Sequence, residues 1–84
     1  MKTDSDEIPK RYFKIGEVAK NLGVANSAIR FWEYCFGIEG HRTKGGFRYF
    51  DQSEVETLSK IKILLKERGF TVAGAKKELE RRGF

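Results

Sequence analysis

Two groups of side chains in this sequence have the chemistry to read another molecule. The first is Asn26, Ser27 and Arg30. Asn and Arg each present a pair of hydrogen-bonding groups, the former matched to the edge of adenine and the latter to guanine. The second is Lys44, Gly45, Arg48 and Tyr49, gathered about a glycine pair. A guanidinium beside a slim glycine tip suits a phosphate backbone or a narrow minor groove, where negative potential is concentrated. Lys14 adds a cation to this backbone-gripping set. Catalytic chemistry is not legible: one His and scattered carboxylates include no nucleophile paired with a base in any recognisable motif. Cys35 and His41 are too few for a closed metal site, so no metal, cofactor or enzymatic activity is expected.

These residues need elements to position them. Ile15, Val18, Ala19 and Leu22 recur at helical spacing, and Gly23 follows where a left-handed stop residue is wanted. Ala28, Ile29, Trp32 and Phe36 define the apolar face of a second helix, leaving Asn26, Ser27, Arg30 and Glu33 largely on the other. The connection holds only Gly23, Val24 and Ala25, which is the turn of a helix-turn-helix, and the second helix (about 26–35) is then the reading helix. His41–Thr43 and Phe47–Phe50 flank Lys44-Gly45-Gly46 and read as a two-stranded hairpin, a wing at about 41–50, which must pack on helices to be stable. Asp51 with Glu54 opens a third helix as a capping box, with Val55, Leu58, Ile61 and Leu65 on one stripe and Gly69 as its stop. Thr71 caps a fourth, on which Val72, Ala75 and Leu79 align. The expected fold is mostly α with a small β-hairpin wing: a four-helix winged helix-turn-helix over residues 12–84, preceded by a flexible leader at 1–11 that lacks periodicity.

Composition agrees. Eighty-four residues make one domain, and seven Phe, three Tyr and one Trp suffice to close a small core. The net charge of +5 favours a polyanionic partner. Residues 12–50 carry six basic and three acidic side chains, so a nucleic-acid face belongs mainly to the middle of the chain. A single cysteine and the lack of a long apolar run place the protein in the cytoplasm, nucleoid-associated if it binds DNA.

Several linked motifs then carry a resemblance. Phe13-Lys14-Ile15-Gly16-Glu17-Val18-Ala19-Lys20, Leu22-Gly23-Val24, Ile29-Arg30-Phe31-Trp32-Glu33 and Gly46-Phe47-Arg48-Tyr49-Phe50 resemble, in order and spacing, the N-terminal DNA-binding domain of MerR-type transcription regulators. Glu67-Arg68-Gly69-Phe70-Thr71-Val72-Ala73-Gly74-Ala75 is similar to the family's link between its third and fourth helices, so the likeness spans roughly 12–80. It implies a bacterial regulator whose domain binds double-stranded DNA, a pseudo-palindromic promoter site, as a homodimer, with Arg30 facing the DNA from the reading helix and Arg48 gripping backbone from the wing. Trp32 stands where the family commonly has a second aromatic residue, and core packing is its expected role.

The sequence also departs from the pattern. Ala25 replaces a capping Ser or Thr, so the reading helix is expected to begin at Asn26 or Ser27. Phe31 and Phe50 occupy positions that are often Tyr and cannot donate a phenolic hydrogen bond. The chain stops at Phe84, where full-length members continue into a dimerisation helix and an effector-binding region. It is therefore expected to be either an isolated domain or a short member, dimeric only with that further helix. Two alternatives stay open: a winged-helix protein-interaction or assembly module, and a phage-type architectural DNA-binding factor.

Overall fold

The computed structural model describes residues 11–82. The expected leader, 1–11, lies outside the described residues except for Arg11. Phe13–Lys14 form a short strand, β1, that leads directly into α1, Ile15–Leu22. The Glu17 carboxylate accepts a hydrogen bond from the Lys14 backbone N–H at 2.8 Å, closing the first turn of α1. Gly23 ends α1 with φ of 73°, and the N–H groups of Gly23 and Val24 return to the carbonyls of Lys20 and Ala19. That left-handed position strains any residue with a Cβ and explains the glycine.

Helix α2 spans Asn26–Phe36 and follows a three-residue turn. Its N-cap is Ala25, which provides no side-chain hydrogen bond, so Asn26 is the first helical residue. Ile29, Trp32 and Phe36 are buried, as the periodicity requires. Glu33 is a correction to the sequence reading: grouped there with the polar face, it is only 9% exposed.

The wing is larger than the expected hairpin. β2, His41–Arg42, and β3, Arg48–Phe50, pair antiparallel as anticipated, with His41 opposite Tyr49 and Arg42 opposite Arg48. β1 then adds to the other side of β3, setting Phe13 opposite Phe50 and Lys14 opposite Tyr49. This third strand satisfies backbone groups of β3 that a hairpin would leave unpaired. It also ties the wing to α1 through continuous chain. Within the connecting loop the Thr43 N–H donates to the Phe47 carbonyl at 2.9 Å, and the Thr43 hydroxyl accepts from the Phe47 N–H at 3.1 Å.

α3, Gln52–Lys62, begins with the anticipated capping box: Asp51 Oδ1 accepts from the Glu54 N–H at 2.8 Å, and Glu54 Oε1 accepts from the Asp51 N–H at 2.9 Å. The helix continues into a π-helical segment at Ile63–Glu67. There the Arg68 N–H reaches the Ile63 carbonyl at 2.9 Å. Leu64, three residues after Ile61, enters the core, while Leu65, placed on the stripe by its spacing, packs at the edge. α4, Val72–Arg82, is capped by the Thr71 hydroxyl, which accepts from the Gly74 N–H at 3.0 Å.

One core unites these elements: Val18 and Ala19 of α1, Ile29, Trp32 and Phe36 of α2, Phe50 of β3, Leu58, Ile61 and Leu64 of the third helix and its extension, and Ala75 and Leu79 of α4. Among the described residues, no helix is long and apolar enough to cross a membrane.

Candidate nucleic-acid interface

Asn26, Ser27 and Arg30 are all exposed on the first turns of α2. The N-terminal N–H groups of a helix lack intrahelical acceptors, and Ala25 gives them no side-chain partner. No acidic residue sits in that first turn. The start of α2 therefore carries the positive end of the helix dipole, next to side chains that donate hydrogen bonds.

Sequence reasoning missed part of this face. Phe31 is 54% exposed and Tyr34 87% exposed, so two aromatic rings stand out from the same helix as Arg30. Ser27 lies three and four residues before Arg30 and Phe31, and Tyr34 three and four residues after Phe31 and Arg30, the signal that should have grouped them.

The wing residues divide. Lys44 and Gly45 are exposed at its tip, whereas Arg48 and Tyr49 are half-buried and engaged with the protein itself. Arg48 Nη1 donates to Glu33 Oε1 at 2.6 Å, linking β3 to α2. A guanidinium has five N–H donors, so this bond occupies a fraction of its capacity. Burial pushes the Glu33 carboxyl above its ordinary range, a shift that the charge and hydrogen bond of Arg48 partly offset. The Tyr49 ring packs edge-on against Tyr12 at 5.1 Å between centroids and stacks on His41 at 5.2 Å. Its neighbour Phe50 points to the opposite face and is wholly buried, so its missing hydroxyl belongs to a packing position.

Lys14 is exposed on β1 and lies on a groove with Ile15, Gly16, Glu17, Lys20, Phe47 and Arg48. The groove runs between the start of α1 and the wing, and it brings Lys14, Lys20 and Arg48 to one opening. Lys20 and Phe47 were not singled out from sequence, because only the pairing of β1 with β3 brings α1 alongside the wing loop. Gly40, between α2 and β2, has φ of 64°, and a Cβ there would come within 3.1 Å of both the Glu33 carboxylate and the Phe50 ring. The backbone thus passes close over the carboxylate that holds Arg48.

The chain is similar to known regulators along nearly this whole length. It is 41% identical over 61 residues to the mercuric resistance operon regulatory protein of Bacillus cereus, an alignment covering 71% of this chain and 46% of that protein. It thus spans about half the length of the curated relative it matches. Its fold superposes on the crystal structure of a MerR-family transcriptional regulator from Bacillus cereus with a TM-score of 0.72 and 22% identity, covering 87% of this chain and 55% of the other. It likewise superposes on HiNmlR, a MerR-family regulator lacking the sensor domain and bound to promoter DNA, with a TM-score of 0.65 and 21% identity over 82% of this chain and 55% of the other. Residues 13–82 match the family described as MerR HTH family regulatory protein, and with four helices and a winged helix-turn-helix this chain belongs to the MerR family.

Proposed function

We propose that this domain is the reading head of a bacterial transcription regulator, binding double-stranded DNA with α2 in the major groove and the wing on backbone or in the minor groove. The observation that carries this reading is the grouping of exposed Asn26, Ser27 and Arg30 on the unblocked first turn of α2, beside a wing fixed to that helix by Arg48. In a helix-turn-helix, the early residues of the second helix meet base edges while flanking groups grip phosphates. Asn26, Ser27 and Arg30 accordingly take the base contacts. Lys14, Lys44, Gly45, Arg48 and Tyr49 take the backbone, Arg48 through the donors that Glu33 leaves open. Tyr49 does so from its packed position, by way of its hydroxyl. The likeness in fold to a regulator described as bound to promoter DNA supports the same class of partner.

The target is then a pseudo-palindromic promoter site in the cytoplasm, at the nucleoid. Two domains would bind its halves when joined by a dimerisation helix, since linkage makes the second contact intramolecular and raises its effective concentration. Selection of bound duplexes from a random pool, followed by salt titration of the winner, tests the proposal. Recovery of a defined half-site, with affinity falling steeply as salt rises, is the expected result. Absence of binding to any duplex would overturn it in favour of a protein-interaction module using Phe31 and Tyr34. Strong bending of duplexes without sequence preference would favour an architectural factor.

A further inference from the structure

We propose that His41, Asp51 and Glu54 form a site for one divalent transition-metal cation of the Zn2+ type, placed where the wing meets the start of α3. The three side chains come from β2, the N-cap of α3 and its first turn, and their potential ligand atoms all lie within 4.8 Å of one another. His41 Nε2 is 3.4 Å from Glu54 Oε1 and 3.6 Å from Asp51 Oδ2. Two ligands bound at about 2.0–2.1 Å to a tetrahedral ion are separated by about 3.3–3.5 Å, so these spacings are already close to those of a coordinated pair.

The state of His41 is the second observation. Part of the ring is exposed, yet Nε2 is shielded from solvent and has no hydrogen-bond partner among the described residues. It faces both carboxylates at ion-pair distance without a well-aligned hydrogen bond to either, so the three groups converge on one small space. The ring cannot easily swing away, because it is stacked on Tyr49 and meets the edge of Tyr12 at 5.1 Å.

The carboxylates are also held in place. Asp51 Oδ1 accepts from the Glu54 N–H and from the Ser53 hydroxyl at 3.1 Å, which leaves Oδ2 toward His41. Glu54 Oε1 is held by the Asp51 N–H. Such outer hydrogen bonds orient the ligands of metal sites. One imidazole with two carboxylates favours a borderline cation over Mg2+ or Ca2+, which prefer all-oxygen surroundings. Three protein ligands leave a fourth position for water.

Nothing in this arrangement involves Cys35, and the wing separates His41 in sequence from the closely spaced pair Asp51 and Glu54. A bound ion would cross-link β2 to the N-terminus of α3 and stiffen the wing from its base.

Titration of the 84-residue chain with Zn2+, followed by calorimetry and by NMR of the imidazole, tests the site. His41 is the single histidine, so its ring signals are unambiguous. The expected result is saturable one-to-one binding that shifts the His41 ring resonances, with no comparable response to Mg2+. His41→Gln should abolish it, and Asp51→Asn and Glu54→Gln should each weaken it at least tenfold. Asn remains a good N-cap and Gln serves in a capping box, so the last two variants keep the local fold. Cys35→Ser should bind as the parent does. Unperturbed His41 resonances at saturating Zn2+, retention of binding in His41→Gln, or its loss in Cys35→Ser would each overturn the assignment.

Discussion

Arg48 Nη1 lies 2.6 Å from Glu33 Oε1, and this one contact joins the wing to the helix that carries Asn26, Ser27 and Arg30. Glu33 is 9% exposed and Arg48 is partly so, and the carboxylate that receives the guanidinium also lies beneath the close passage of Gly40. The pair therefore does structural work beyond any contact with a ligand. It links the two surfaces that, on the proposed reading, meet one DNA duplex together.

Removal of Arg48 should thus destabilise the domain even without DNA. Arg48→Ala strands a buried carboxylate, at a cost of about 1–3 kcal/mol. Combining it with Glu33→Gln should recover part of that loss, because the neutral amide no longer requires a counter-charge. Urea unfolding of the two single variants and the double variant gives the coupling between the positions. Purely additive changes would mean that the contact contributes nothing to stability.

The same carboxylate predicts a pH dependence. Burial raises the Glu33 pKa above its ordinary value of 4.5, so over the window from 4.5 up to the folded-state value the folded protein holds more protons than the unfolded chain. Stability contributed by this group is present in full below 4.5 and declines as pH rises through the window. Glu33→Gln lacks the titration. The stability of wild type minus that of Glu33→Gln, measured by thermal melts from pH 4 to 8, should therefore fall with rising pH and then level off. A difference that rises with pH would show that the Arg48 attraction outweighs the cost of burial.

Much of this arrangement was legible in the sequence because local rules governed it. Gly23, the Asp51–Glu54 capping box and the apolar spacing of Ile29, Trp32 and Phe36 each signal a local backbone geometry, and each appears where the pattern put it. What was missed depends on long-range partners. β1 is two residues long and has no periodicity of its own, since it exists by pairing with β3. Glu33 reads as a surface residue until the chain returns fifteen residues later with Arg48. The π-helical segment at Ile63–Glu67 is not legible in the leucine spacing, since Leu64 and Leu65 stand three and four residues after Ile61 and either would continue the stripe. His41 meets Asp51 and Glu54 only because the wing folds back onto the start of α3.

The two proposed roles in DNA binding should separate in a salt titration. Lys44 stands exposed at the tip of the wing, so Lys44→Ala should weaken binding to every duplex alike and make the slope of log K against log salt shallower by about 0.9, the release of roughly one counterion. It should leave unfolding unchanged. Arg30 is exposed on α2, one turn beyond Asn26, where a forked donor can meet a guanine edge. Arg30→Ala should reduce discrimination at one position of the half-site by about 1–3 kcal/mol, so that a duplex altered at that base pair binds the variant nearly as well as the original. Competition binding with a series of singly altered duplexes measures both effects. If Arg30→Ala lowered affinity equally across the series, Arg30 would be a phosphate contact, and the reading of bases would pass to Asn26, Ser27 and the exposed rings of Phe31 and Tyr34.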